Sequence, residues 1–261
     1  MGEASQTIVI TGAGSGVGRA TARQFLEQGW NVVLAGRTTA SLEITADNNP
    51  NALVVPTDVS DAAAVKNLFA RAVERFGTVD VLFNNAGTFG PTVTVDELTP
   101  EAWDEICGAN LTGAINCARE AFAHYRTTGG GRIINNGSIS AQVPRVKSTA
   151  YTVTKHAIAG LTKTIELDGR EFNIRASQLD IGNAASKLLE SFSASESIEN
   201  EDAAYKSVKG ALQPNGQYLE EPTFPVAEAA GAVWYIANLP LGVSINQLTI
   251  TAGGMPYIGR G

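Results

Sequence analysis

Tyr151 and Lys155, in the stretch AYTVTKHA, are a pair of residues whose types and spacing could perform chemistry. Side chains four positions apart share one face of a helix, so the lysine ammonium can act on the tyrosine phenol. A free phenol has a pKa of about 10, and a nearby cation favours the phenolate that proton exchange at neutral pH requires. The pair could therefore be a general acid and base, although this spacing alone is also typical of a solvated lysine beside a half-buried tyrosine.

Four glycines, Gly12, Gly14, Gly16 and Gly18, lie between a β-branched run and a helical segment in TGAGSGVGRA. Glycine lets a pyrophosphate approach the exposed N–H groups at a helix start, where the helix dipole favours negative charge. The spacing is G-x-x-x-G-x-G, which differs from the commoner G-x-G-x-x-G of other dinucleotide folds. We therefore expect a dinucleotide site here, with a glycine-rich turn that binds no ligand as the alternative.

Seven β-branched runs alternate with segments of helical periodicity, and these elements must position the chemical groups. The runs span residues 7–11, 31–35, 52–56, 79–83, 132–136, 174–179 and 246–251. Strands joined by helical crossovers run parallel, and right-handed crossovers place helices on both faces of the sheet. The sequence thus predicts one α/β domain over residues 1–261 with a doubly wound, seven-stranded parallel sheet.

One segment, residues 183–224, breaks the alternation because it is rich in Ser and Glu, weakly periodic and punctuated by prolines. A long connection of this kind in a compact fold is usually a functional lid, although a disordered insertion is the alternative. We expect this lid segment to cover the substrate and to be the most mobile part of the chain without substrate.

Composition narrows the class of partner. The net charge of −7 argues against a nucleic acid or an anionic membrane, and no apolar run is long enough to span a bilayer. Two cysteines, Cys107 and Cys117, and two histidines do not have the spacing of a metal site, so we expect buried, reduced thiols and no metal. The first residues, MGEASQT, lack a secretory pattern. A cytoplasmic enzyme with a small-molecule substrate is the default.

Five motifs occur in order along the chain: the glycine loop, NNAG at residues 84–87, GANLTG around Asn110, NNGSIS with Ser138, and YTVTK from Tyr151. Together they resemble the short-chain dehydrogenase/reductase family of the single-domain type, over nearly the whole chain. The resemblance implies a Rossmann-like fold and a nicotinamide-dependent oxidoreductase that interconverts a carbonyl and a secondary alcohol.

The resemblance also implies catalytic roles. Tyr151 would exchange a proton with the substrate oxygen, and Ser138 would stabilise the charge on that oxygen. Lys155 would hydrogen-bond the nicotinamide ribose and lower the pKa of Tyr151. Asn110 would hold a water that connects Lys155 to solvent, although an asparagine in a helix can also bond only to the backbone.

Cofactor contacts follow from the same resemblance. Asp58 matches an adenine contact, with helix capping as the alternative that Ser60 or Asp61 could also supply. The usual Pro-Gly pair after the sixth strand is replaced by Ile181–Gly182, so the carboxamide contact is placed less securely, around residues 181–184. The implied cofactor residues are Gly12, Gly14, Ser15, Gly16, Val17, Gly18, Arg37, Thr38, Asp58, Val59, Asn85, Ala86, Gly87, Tyr151, Lys155, Ile181, Gly182 and Ala184.

Gly36 occupies the position at the end of the second strand where an acidic residue would select NAD. Arg37 follows with a guanidinium suited to phosphate, and Thr38 adds a hydroxyl. No acid occurs between Asn31 and Ser41. We therefore expect NADP(H) to be preferred over NAD(H), with a solvated Arg37 as the alternative.

Two rival functions remain. Reductases of carbon–carbon double bonds with this fold usually space Tyr and Lys by seven positions, and nucleotide-sensing relatives typically lack part of the Ser, Tyr and Lys set. The spacing of four and the complete set favour a carbonyl reductase.

Two further expectations concern surfaces. The resemblance implies a homotetramer, or a dimer, through helices at residues 100–126 and 149–171, which are rich in small side chains: Ala114, Ala118, Ala121, Ala157, Ala159 and Gly160. Arg145 and Lys147, on the loop before Tyr151, could recognise an anion, but a charged pair on a loop is more typical of solvated surface.

Overall fold

Seven parallel strands form the central sheet of the computed structural model, which describes residues 5–186, 207–213, 215–255 and 257. Their order is β3-β2-β1-β4-β5-β6-β9, so the chain reverses direction across the sheet between β1 and β4. A separate antiparallel hairpin contains β7 and β8. The strands are β1 (Thr7–Thr11), β2 (Asn31–Gly36), β3 (Ala52–Pro56), β4 (Val81–Asn84), β5 (Gly131–Asn136), β6 (Ile174–Ile181), β7 (Ser207–Leu212), β8 (Tyr218–Pro222) and β9 (Gln247–Ile250).

Helices connect the strands, and short polar side chains cap several of them. Asp61 accepts hydrogen bonds from the N–H groups of Ala63 and Ala64 at the start of the third helix, so it supplies the cap considered for Asp58. The helices are α1 (Gly16–Glu27), α2 (Thr39–Ala46), α3 (Ala62–Phe76), α4 (Pro100–Cys107), α5 (Gly113–Thr128), α6 (Thr149–Asp168) and α7 (Val226–Ala237), with 3-10 turns at Ile139–Ala141 and Arg170–Phe172.

Two apolar cores, one on each face of the sheet, give the doubly wound architecture predicted from the sequence. On one face, Phe25 of α1 meets Trp30 and Trp234 in edge-on ring contacts that join α1 to α7. On the other face, strand residues pack against α3, α5 and α6 through side chains such as Leu68 and Ile165. Because both faces are covered, the strands read as continuous β-branched runs.

The structure departs from the predicted elements in two places. The helix predicted at 100–126 is interrupted by a π-helical turn at Gly108–Thr112, between α4 and α5. The lid segment, in which no strand was predicted, contains β7, β8 and the bridge between Ala184 and Phe224. Residues 187–206 and 214 of that segment lie outside the described residues, and its role as a lid stays a prediction.

Two expectations about small side chains are wrong. Ala114, Ala118 and Ala121 of α5 are buried in the subunit's own core, so they cannot form a contact with another copy. Cys107 is half-buried rather than buried, whereas Cys117 is fully buried and its pKa is raised to about 12 by burial. Both thiols are free.

Along the described stretches, no helix is long and apolar enough to cross a membrane.

Candidate active site

The residues predicted to do chemistry converge at the carboxyl ends of the strands, next to the switch between β1 and β4. Parallel strands present their following loops at one edge of the sheet, and ligands of such folds bind where the strand order reverses. Three connected depressions line this edge. We call the first the outer cleft, which is lined by Gly14, Ser15, Arg19, Arg37, Thr38, Asp58 and Val59 among others. We call the last the inner cavity, which is lined by Phe89, Ser138, Arg145, Tyr151, Ile181 and Asn183 among others.

The glycine loop occupies the middle of this edge, and its glycines are required by close packing. Gly12 has a φ of 67°, and a Cβ on Gly18 would lie 2.2 Å from the Gly12 carbonyl oxygen. The loop and the start of α1 therefore form a tight turn that larger residues cannot adopt. Gly16, Val17, Ala86 and Gly87 line the depression that joins the outer cleft to the inner cavity.

Asn85 ties the glycine loop to the neighbouring strands. Its side-chain amide donates to the Thr11 carbonyl oxygen, and the Thr11 hydroxyl accepts from the N–H groups of Asn85 and Ala86, all at 2.9 Å. Asn136 Nδ2 in turn donates to Asn85 Oδ1 at 2.7 Å. Asn136 Oδ1, also buried, has no hydrogen-bond partner among the described residues, so this edge holds an acceptor that a bound hydroxyl can satisfy.

The outer cleft brings Arg37, Thr38 and Asp58 together as predicted, and it adds Arg19. The Arg19 guanidinium donates to the Gly14 carbonyl oxygen and to the Thr45 hydroxyl, which places a second cation beside the cleft that Arg37 lines. Hydrogen bonds from Ser60 lower the pKa of Asp58, and the nearby charge of Arg37 lowers it further. Two guanidinium groups at one cleft are suited to a phosphate.

Tyr151 and Ser138 meet in the inner cavity. The Tyr151 ring stacks on Phe89 with centroids 4.5 Å apart, and Tyr151 and Ser138 both line the cavity. Burial raises the pKa of Tyr151, whereas the polar side chain of Ser138 and the charge of Arg145 lower it. Burial is the largest influence on this pKa, and the groups that oppose it are Ser138 and Arg145, so the expectation that Lys155 lowers the pKa of Tyr151 stays a prediction.

Lys155 lies one helical turn beyond Tyr151 on α6, as the spacing predicted. Its ammonium is 5.5 Å from the Tyr151 ring centroid and donates to the Asn136 carbonyl oxygen at 2.8 Å. Only 5% of Lys155 is exposed, and this burial lowers its pKa from 10.5 to about 8, while the charge of Asp180 opposes the change. The ammonium thus stays largely protonated at neutral pH.

Asp180, which was not predicted from the sequence, holds the Ser138 loop in place through hydrogen bonds. Its Oδ1 accepts from the Ser138 N–H at 3.1 Å, and Gln142, Gln178 and Gln247 donate to the same carboxylate. A Cβ on Gly137 would lie 2.1 Å from Asp180 Oδ1, so glycine is needed for this approach. A charged residue at the end of a buried strand, in LDIG, was the available signal.

Asn110 sits in the π turn and connects two loops. Its Oδ1 accepts from the Thr88 N–H, while its Nδ2 donates to the Thr88 carbonyl oxygen and the Thr154 hydroxyl. The side-chain amide is therefore engaged by protein groups, which include one side chain as well as the backbone, and the predicted role in holding a water stays a prediction. π turns of this kind are frequent at functional sites.

Ile181, Gly182 and Ala184 line the inner cavity together with Tyr151. The N–H groups of Gly182 and Ala184 already donate within the protein, to the carbonyl oxygens of Ile250 and Gly182. Ser186, which the sequence analysis also missed, lines both the inner cavity and the depression around Gly16. Its hydroxyl is a further polar group at the site.

The two loop cations before α6 differ in environment. Lys147 is exposed, as expected. Arg145 is not, since its side chain is 6% exposed and forms a 2.6 Å ion pair with Glu221 of β8. The expectation of solvated surface is therefore wrong for Arg145, because the hairpin that covers it could not be anticipated from local sequence.

Comparisons with known proteins agree with this geometry. The family model described as short chain dehydrogenase matches residues 6–197. The chain is 31% identical to cis-4-hydroxycyclohexanecarboxylate dehydrogenase of Sinomonas cyclohexanicum, over 97% of this chain and 98% of that protein. It also resembles the solved structure of 3-ketoacyl-(acyl-carrier-protein) reductase from Brucella melitensis complexed with NADH, with a TM-score of 0.80 and 27% identity over 95% of this chain and 97% of that one. A second similar structure is that of an alcohol dehydrogenase from Thermococcus sibiricus complexed with 5-hydroxy-NADP. Its TM-score is 0.78 and its identity 26%, over 95% of this chain and 97% of that one.

The chain therefore belongs to the short-chain dehydrogenase/reductase family, which confirms the resemblance carried by the five motifs. It is an oxidoreductase of a family that uses nicotinamide cofactors.

The buried Lys155 ammonium predicts a stability effect of Lys155→Met. The unfolded lysine titrates near 10.5 and the folded one near 8, so the unfolded chain binds more protons between these values. Wild-type stability should rise with pH across that window. Removing the buried charge should stabilise the protein by about 1–3 kcal/mol at neutral pH and remove the rise, as measured by urea unfolding between pH 7 and 10.

Lys163→Met is the matched control, because Lys163 is exposed on the same helix. It should leave both the stability and its pH dependence close to wild type. A Lys155→Met protein that is less stable than wild type at pH 7, or that keeps the rise, would contradict the burial argument.

Proposed function

We propose that this protein is an NADP(H)-dependent carbonyl reductase that interconverts a ketone and a secondary alcohol. The single observation that carries the proposal is the convergence of three side chains: Ser138 and Tyr151 line the inner cavity together, and the Lys155 ammonium lies 5.5 Å from the centroid of the Tyr151 ring. When bound, the nicotinamide supplies or accepts the hydride.

The donor groups of the cleft fit such a dinucleotide. Arg19 and Arg37 offer positive charge at the outer cleft, the glycine loop offers the start of α1, and Asn136 Oδ1 offers an unused acceptor near Lys155. The Lys155 ammonium would hold the ribose hydroxyls next to Tyr151, and the Ser186 hydroxyl adds a donor beside Gly16. Gly12, Gly14, Ala86, Gly87 and Ile181 would form the walls.

In the reductive direction, Tyr151 donates its phenolic proton to the substrate oxygen, and Ser138 donates a hydrogen bond to the same oxygen. The raised pKa keeps the phenol protonated at neutral pH, which suits a proton donor. The positive charge of Lys155 then favours the phenolate that remains. We infer that Asn110, whose side chain joins the loop at Thr88 to Thr154 of α6, helps to hold the water that returns the proton from solvent.

Tyr151→Phe tests the proton donor. It should lower ketone turnover by about 10²–10⁴, because the ring and its stacking on Phe89 remain while the transferable proton is lost. Turnover is followed by nicotinamide absorbance. Cofactor binding is followed by the quenching of tryptophan fluorescence, and the dissociation constant for the cofactor should be unchanged.

Tyr235→Phe is the control, since Tyr235 is 59% exposed on α7. It should retain wild-type rates. If Tyr151→Phe retained more than a small fraction of the activity, Tyr151 would not be the proton donor.

The preference for NADP(H) rests on the charges at the outer cleft. Gly36 brings no carboxylate to the end of β2, and Arg37 and Arg19 both line the cleft that follows it. A 2′-phosphate would therefore gain charge-assisted hydrogen bonds, whereas NAD(H) has no phosphate at this position to form them.

The double variant Gly36→Asp, Arg37→Ala should reverse the preference, because it adds repulsion and removes attraction. Wild type should favour NADPH by about tenfold or more in kcat/KM, since a bidentate charged contact is worth that much. The single variant Arg37→Ala separates attraction from repulsion, and Arg71→Ala, an exposed arginine on α3, is the control. Equal wild-type values for NADPH and NADH would show that Arg37 does not face the phosphate.

We further infer that the protein works in the cytoplasm as a homotetramer, or as a dimer. With the alanines of α5 buried, the support comes from large apolar side chains exposed on α5 and α6: Ile115, Val153 and Leu167. Large apolar side chains that are exposed to solvent are typical of a contact between subunits. A monomeric mass by light scattering at micromolar concentration would refute it.

A further inference from the structure

One charged side chain, Arg145, stands in the wall of the inner cavity. Among the described residues that line the cavity, it alone carries a formal charge at neutral pH; its neighbours there include Phe89, Tyr151 and Ile181. The cavity wall is otherwise apolar or neutral and polar. Whether the cavity favours a charged or an uncharged substrate therefore depends on which charged groups lie next to Arg145.

Glu221 of β8 forms an ion pair with Arg145. Glu221 Oε2 accepts from Arg145 Nη2 at 2.6 Å, and the two side chains are only 2% and 6% exposed. Asn183 bonds to both partners, because its Oδ1 accepts from Arg145 at 2.8 Å and its Nδ2 donates to Glu221 Oε2 at 2.9 Å. Gln213 of the same hairpin donates to Glu221 Oε1 at 3.3 Å. The positive charge is thus matched by a buried, hydrogen-bonded negative charge.

A buried and matched pair does not favour an additional anion. A substrate carboxylate placed beside Arg145 would lie close to the Glu221 carboxylate and would be repelled by it. The substrate carboxylate would also be desolvated without meeting a positive charge that is not already paired with Glu221. An uncharged ketone bears neither cost. The hairpin residue Glu221 therefore determines the charge of substrate that the cavity accepts.

We propose that the substrate is uncharged in the part that enters the inner cavity, and that Glu221 is a specificity-determining residue that excludes carboxylates by neutralising Arg145. This inference rests on the proposed carbonyl reductase function. It also gives the lid segment a defined contribution to substrate choice, through one residue of its hairpin.

The test uses 4-oxocyclohexanecarboxylate and 4-oxocyclohexanecarboxamide, which share the ketone and differ in charge at similar size. Wild-type kcat/KM with NADPH should be higher for the amide by about tenfold or more, because an additional like charge near Glu221 is costly. An acid that is turned over as well as the amide, or better, would overturn the inference and leave the carbonyl reductase function intact. No reduction of either compound or of unsubstituted cyclohexanone would instead overturn the proposed function, and this inference with it.

Glu221→Gln supplies the second measurement. It removes the negative charge while keeping a side chain of the same shape, so the ratio of acid to amide kcat/KM should rise by about tenfold or more. The ratio is taken within one protein preparation and is independent of the folded fraction. Glu220→Gln, at an exposed neighbouring position on β8, should leave the ratio unchanged. An unchanged ratio in Glu221→Gln, or an equal rise in Glu220→Gln, would contradict the role of Glu221.

Discussion

The Asp180 carboxylate, buried at the end of β6, is the constraint around which the catalytic side of the molecule is arranged. It is fully buried and accepts hydrogen bonds from the Ser138 backbone and from three glutamine amides. These bonds fix the loop that carries Ser138, and the negative charge raises the pKa of Lys155 against the effect of burial. One buried carboxylate thereby fixes the position of the serine and opposes the loss of the lysine proton that burial favours.

The sheet and the site depend on each other through a small set of polar bonds. The Thr11 hydroxyl at the end of β1 accepts from the backbone N–H of Asn85, and Asn85 Oδ1 in turn accepts from the side-chain amide of Asn136 at the end of β5. Asn136 then accepts the Lys155 ammonium on its carbonyl oxygen. Because the strands are parallel, their ends deliver all these groups to one edge, and burial there shifts pKa values away from their ordinary range.

Local patterns predicted much of this arrangement. The doubly wound parallel sheet follows from β-branched runs and crossovers, and the glycine loop, Ser138, Tyr151 and Lys155 follow from short motifs. Asp180 could not be read in the same way, because Ser138, Gln142 and Gln247 lie 38–67 positions from it in sequence. The Arg145–Glu221 pair spans 76 positions and depends on a hairpin in a segment with weak periodicity. Contacts of this range are set by tertiary packing, which residue spacing does not encode.

Whether Ser138, Tyr151 and Lys155 serve carbonyl reduction is tested most directly by deuterium transfer from NADPH that carries deuterium at the transferable position of the nicotinamide. With cyclohexanone as substrate, mass spectrometry of the product should detect cyclohexanol with one deuterium on the carbinol carbon, formed at the rate at which NADPH is consumed. Alcohol without deuterium, or consumption of NADPH without alcohol, would contradict the assignment of these residues to a carbonyl reductase.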